Sequence, residues 1–117
     1  MARRLFHIIS AAAWVEANED GRYAPESLTA EGFIHLSEKD QILRPANLLY
    51  RGRTDLSLLV LDTDRLRSPV RYERGSHGEA EWFPHLYGEL NLDAVVDVVA
   101  FAPRADGTFD LPAALEA

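Results

Sequence analysis

The sequence predicts an α+β fold: a compact single domain with a mixed or mainly antiparallel sheet and two or three helices. Three observations lead there. Runs with strand character recur along the whole chain, over residues 5–9, 32–36, 56–62, 70–73, 82–87 and 95–101. Helical periodicity is confined to two or three segments, unevenly interleaved with those runs. No linker, repeat or composition break divides the chain, and its 117 residues suffice for one core but not two. Residues 1–117 are therefore read as one domain.

Each element has a local reason. Leu5-Phe6-His7-Ile8-Ile9 reads as a strand, whose alternation places His7 on one face with Leu5 and Ile9. Ser10 stands at an N-cap position, and Ala11, Trp14 and Val15 share a helical face until Asp20-Gly21 stops the helix. Pro25-Glu26-Ser27-Leu28 predicts an irregular, one-turn element. Gly32-Phe33-Ile34-His35-Leu36 is a second short strand. Ser37, with Asp40 three residues on, opens a helix through Tyr50 as a weak form of the capping box. Ile42, Ala46 and Leu49 form its buried stripe, Pro45 kinks or tightens it, and Gly52 ends it.

Residues 56–62 are apolar on both faces, as a central strand requires. Residues 70–73 alternate like an edge strand, and Gly75 and Gly78 bracket a turn-rich loop before the strand at 82–87. Asn91 caps a turn from Leu92, residues 95–101 close the sheet, Asp106-Gly107 turns, and residues 112–116 form a short terminal helix.

Composition narrows the function. Twelve Lys and Arg against nineteen Asp and Glu give a formal charge of −7, which disfavours nucleic acid as a partner. The absence of cysteine excludes a disulfide scaffold, a thiol nucleophile and a cysteine zinc site. No apolar run approaches the roughly 18 residues a membrane span needs. Met1-Ala2-Arg3-Arg4 and the following apolar stretch resemble a signal peptide, but His7 and Ser10 interrupt that stretch and cleavage after Ala13 would discard the first strand. A cytoplasmic location is expected.

Chemistry points to histidine. Three of the four, His7, His35 and His85, lie on separate strands among apolar neighbours, and adjacent strands would bring their imidazoles into one cleft. Each is also compatible with a satisfied structural histidine. In Gly32-Phe33-Ile34-His35-Leu36-Ser37, the glycine allows close backbone approach, and the imidazole stands beside amide donors of the next helix, which favour an anion such as phosphate. A strand end with a helix cap is the plainer reading. In Phe83-Pro84-His85-Leu86-Tyr87-Gly88-Glu89, strand alternation would put an imidazole, a hydroxyl and a carboxylate in a row. An edge strand guarded by proline is the alternative. Arg51 and Arg53 flank Gly52 as phosphate-binding candidates or as a solvated helix end. His77, Glu79, Glu81 and His85 reproduce no zinc spacing, so no metal is expected, and Walker, dinucleotide-fingerprint and nucleophile-elbow motifs are absent.

Taken together, His7-Ile8, Trp14, Tyr23-x-Pro25, Gly32 to Ser37, Tyr72-Glu73 and Phe83 to Gly88 resemble an uncharacterised bacterial family, the domain of unknown function numbered nine hundred and fifty-two. The resemblance runs from about Leu5 to Phe101. It implies a small version of the ADP-ribosyltransferase fold, a split sheet clasping nicotinamide adenine dinucleotide (NAD), here as a substrate. It further implies His7, His35 and His85 as the three catalytic positions, a departure from the common His-Tyr-Glu pattern at two of them. That departure is somewhat closer to the RNA 2′-phosphotransferase branch. Gly32, Ser37, Tyr72, Tyr87 and Glu89 are the candidate substrate-binding residues. The expected activity is ribosyl or phosphoryl transfer on a small nucleotide. A non-catalytic module for a nucleotide or anionic metabolite is the alternative, and a metal-dependent hydrolase using His77, Glu81 and His85 is a third reading.

Overall fold

The most apolar strand of the sequence sits at the centre of the fold in a computed structural model that describes residues 3–75 and 80–115. The chain forms β1 (Arg4–Ser10), α1 (Ala11–Asp20), α2 (Glu26–Ala30), β2 (Ile34–His35), α3 (Leu43–Leu49), β3 (Leu56–Asp62), β4 (Val70–Arg74), β5 (Trp82–Leu86) and β6 (Val95–Phe101). Single 3-10 turns at Lys39–Gln41, Thr63–Arg65, Leu92–Ala94 and Ala113–Leu115 complete it. The strands make two three-stranded sheets, β1-β3-β6 and β2-β5-β4, and every pairing within them is antiparallel. The result is a compact α+β domain, and none of its described helices is long and apolar enough to cross a membrane.

Alternation along β3 explains the layering. Leu59 and Leu61 face one core with Leu5 and Ile9 of β1, where Ile34, Leu36 and Leu86 of the second sheet pack on them. Leu56, Leu58 and Val60 face the opposite core with Phe6, Ile42, Ala46, Phe101 and Phe109. Leu58, Leu59 and Leu61 are fully buried, each contributing about 1.5–3 kcal/mol on transfer from water.

A backbone bridge ties the first sheet to the chain leaving the second. Phe6 N–H donates to the Ser37 carbonyl at 2.9 Å, and Ser37 N–H donates to the Phe6 carbonyl at 2.8 Å. The outer edge of β1 is thereby tied to the chain just beyond β2.

Local signals fare unevenly. Ser10 caps α1 as expected, its Oγ accepting from Ala13 N–H at 3.1 Å, and Gly21 ends the helix in the left-handed region at φ 77°. Val15, expected on the buried face, is 58% exposed; Ala13, Trp14 and Ala17 carry the packing instead. Ser37 is not the next cap, because its backbone is engaged by Phe6. Glu38 takes that role in a capping box with Gln41, over a 3-10 turn, and α3 follows with Pro45 in its first turn. Ile42 and Ala46 are buried there, whereas Leu49 is 45% exposed. The strand at 82–87 is the centre of its sheet, not an edge. Pro84 is tolerated because β2 pairs with β5 for only two residues; beyond them Pro84 gives its carbonyl to Leu36 N–H at 3.0 Å and needs no donor of its own.

Gly88 makes the turn out of β5 at φ 152°, and a Cβ there would lie 2.3 Å from Ser68 Oγ and 2.8 Å from Ser68 Cβ. Gly88→Ala is expected to lower unfolding free energy by about 1–3 kcal/mol in urea titration. Adding Ser68→Gly should recover part of the loss by removing the obstructing side chain.

Candidate functional site

The seam sets the histidine geometry. Pairing Phe6 with Ser37 places His7, one residue along β1, against the main chain of β2, where Nδ1–H donates to the His35 carbonyl at 2.7 Å. Nε2 accepts from the Tyr23 hydroxyl at 2.9 Å. Tyr23 is held in place by reciprocal backbone hydrogen bonds with Leu90, at 3.3 and 3.0 Å. The two contacts select the Nδ1–H tautomer and leave His7 neutral. Burial is the dominant cause that pushes its pKa down to about 4, against the opposing pull of the His35 carbonyl. Burial also raises the Tyr23 phenol above its ordinary range, so it stays a donor.

His35 and His85 stand opposite each other across the β2–β5 ladder, with ring centroids 5.6 Å apart. Phe33 stacks on His85 at 3.9 Å and presents an edge arrangement to His35 at 4.9 Å. His35 Nε2 lies 3.0 Å from Glu31 of the turn after α2. His85 Nδ1 lies 2.9 Å from Glu73 Oε1, and the Tyr87 hydroxyl donates to the same oxygen at 2.5 Å. Those two donors, Tyr87 first, hold the Glu73 carboxyl below the usual carboxylate range, while Glu73 in turn raises the Tyr87 phenol.

All three imidazoles line one cavity of about 420 Å³ at the seam, together with Tyr23, Glu26, Glu31, Ser37, Tyr50 and Arg53. The cavity also touches Ser10 and Ala13 in the first turn of α1. Arg53 is forked onto Asp55 at 3.0 and 2.6 Å, so its charge is partly answered already.

Other expected site residues lie elsewhere. Glu89 does not alternate with His85, because β5 ends at Leu86 and Gly88 turns the chain; it pairs with Arg22 at 2.7 Å beside a different cavity. Tyr87 reaches the histidine site through Glu73 and does not line the cavity. Tyr72 donates to Glu38 at 2.5 Å, on a carboxylate shared with Arg3. Gly32, at φ 89°, closes the turn after α2 and does not reach the cavity wall. Of the amide donors expected after His35, those of Glu38 and Gln41 are taken by each other's side chains in the capping box. Arg51 does not line the cavity, whereas Arg53 does. Glu81 pairs with Arg44 at 3.1 Å and with Gln41 at 3.2 Å, and His77 and Glu79 lie outside the described residues. No metal-ligating trio is formed among the described residues.

Sequence reasoning missed Glu73, Glu31 and Tyr23 as partners of the imidazoles. Glu73 lies in the quoted Tyr72-Glu73 pair, and the alternation of β4 was its one signal; which strand lies beside β5 cannot be read from one sequence.

A pH dependence follows from His7. Between pH 6.5 and about 4 the unfolded chain binds a proton at this imidazole and the folded chain does not, so stability falls as pH drops through that window. The wild type should lose up to about 3 kcal/mol more than His7→Gln between pH 7.5 and pH 4. Urea titrations of both proteins across that range check it; parallel pH profiles contradict it.

The fold is shared with solved structures of one protein, CC0527 from Caulobacter crescentus. Its crystal structure matches with a TM-score of 0.81 at 32% identity, over 92% of this chain and 94% of that one. The crystal structure of its double mutant gives 0.80 at 31% with the same coverage, and its solution NMR structure gives 0.78 at 34%, over 92% of each chain. A comparison with curated proteins returns no match. The family model described as "Protein of unknown function (DUF952)" matches residues 8–98, as the histidine motifs imply, and the chain belongs to that family.

Proposed function

We propose that this domain is of the ADP-ribosyltransferase kind and that its seam cavity binds NAD or an ADP-ribosyl compound for ribosyl transfer. The observation that carries this reading is the convergence of His7, His35 and His85, from two separate sheets, on one cavity large enough for part of a dinucleotide. Fold analogy adds to it as analogy. Cleaving a ribosyl–nicotinamide bond passes through an oxocarbenium-like state and needs no protein nucleophile, so the task is to orient the ligand and stabilise developing charge.

The cavity offers a polarity for that task. Glu26 and Glu31 bring carboxylate acceptors to the wall, suited to ribose hydroxyls and a carboxamide. Arg53 also lines the cavity and is suited to pyrophosphate with the part of its charge that Asp55 leaves unanswered.

One observation favours a second reading, a non-catalytic module. His7 spends both ring nitrogens inside the protein, on the His35 carbonyl and the Tyr23 hydroxyl, which suits a wall better than a reacting group. Turnover separates the two readings, because a module binds its ligand and leaves it intact.

Thermal shift with NAD, ADP-ribose, nicotinamide and inorganic phosphate tests the proposal. A ligand at 100 times its Kd should add about 2.7 kcal/mol, seen as a rise of several degrees in Tm. The shift with NAD or ADP-ribose should vanish in His35→Ala, which removes the imidazole but keeps the carbonyl that holds His7. No shift with either compound overturns the nucleotide reading. A retained shift in His35→Ala removes that ring from the binding site.

A further inference from the structure

The strand beside His85 supplies a carboxylate. Glu73 of β4 is ionised and accepts two hydrogen bonds at one oxygen, from Tyr87 and from His85 Nδ1–H. Phe33, stacked nearly parallel to His85 at 11°, fixes the plane of the ring. The side chain of His85 is 3% exposed, and the residue lines the cavity. With Nδ1 committed, Nε2 meets no hydrogen-bonding partner among the described residues, yet no described buried side-chain nitrogen or oxygen is left unpaired. Nε2 therefore keeps access to open space, and in the neutral ring it carries a lone pair.

We infer that Glu73 and His85 form a carboxylate–imidazole pair in which Nε2 accepts the proton of a hydroxyl on the acceptor molecule, with Glu73 as its positioning residue. The inference rests on the dinucleotide reading for its substrate and adds the acceptor class, a compound with a free hydroxyl, water included. As the bond between ribose C1′ and the nicotinamide nitrogen breaks, its electron pair leaves with neutral nicotinamide. The acceptor oxygen bonds to C1′, and its proton passes to Nε2. Glu73 stabilises the resulting imidazolium, which returns the proton to water. The arrangement follows the logic by which a carboxylate orients an imidazole base and fixes its tautomer.

The test records the ring nitrogens of the full chain by long-range proton–nitrogen NMR correlation at neutral pH, beside NAD binding and nicotinamide release. The wild type should show a protonated Nδ1 and a bare Nε2 at His85. Glu73→Ala should move the ring toward the Nε2–H form and keep the NAD thermal shift. Its kcat for nicotinamide release should fall about tenfold or more, with KM changed less than about twofold. Tyr87→Phe, which keeps the carboxylate, should keep the Nδ1–H tautomer. If Glu73→Ala does not fold, Glu73→Gln carries the kcat arm. An Nε2–H ring in the wild type, or a tautomer indifferent to Glu73→Ala, overturns the pair. A kcat unmoved by the substitution overturns the proton-accepting role. NAD that neither shifts the melt nor loses nicotinamide overturns the dinucleotide reading and the transfer step with it, while the tautomer still decides the pair.

Discussion

Two hydrogen bonds between Phe6 and Ser37 hold the arrangement together. They are the backbone link between two sheets that otherwise meet through side chains, and they fix where the chain after β2 lies relative to β1. One residue along, the same geometry brings His7 to the His35 carbonyl, and the cavity forms around that contact. The apolar contacts behind it, Leu5 and Ile9 against Ile34 and Leu36, keep water from competing for the pair. A two-bond link of this kind is strong only because its surroundings are packed.

The site divides its imidazoles by environment. His7 is neutral and bonded at both nitrogens, so it acts as a fixed post between two sheets and the Tyr23 hydroxyl. His85 has Nδ1 anchored by the Glu73 carboxylate and its ring face covered by Phe33. His35 contributes through its main chain as much as its ring, since its carbonyl holds His7 while its Nε2 meets Glu31. Three residues of one type thus stand in three different electrostatic settings.

Much of this was legible in the chain. The strands at Leu56–Asp62 and Val95–Phe101, the Ser10 cap, and the placing of His7 with Leu5 and Ile9 follow from apolar periodicity and capping chemistry alone. What failed did so where tertiary contacts outvote local preference. Ser37 looks like a cap in isolation, but its backbone is taken by a strand thirty-one residues earlier in the chain. Glu89 looks like a continuation of His85 and Tyr87 until Gly88 turns the backbone. Glu73 needed knowledge of which strand neighbours β5, and pairing order between distant strands leaves no mark on composition or period.

Pro84 has a consequence for the topology itself. An ordinary residue at that place in β5 would offer an N–H as well as a carbonyl toward the chain leaving β2, whereas proline offers the carbonyl alone. Pro84 can only accept there: its carbonyl takes the Leu36 N–H, and Ser37, one residue on, pairs with Phe6 of the other sheet. The pyrrolidine ring thus thins the hydrogen bonding to a single bond at the step before the chain crosses from one sheet to the other.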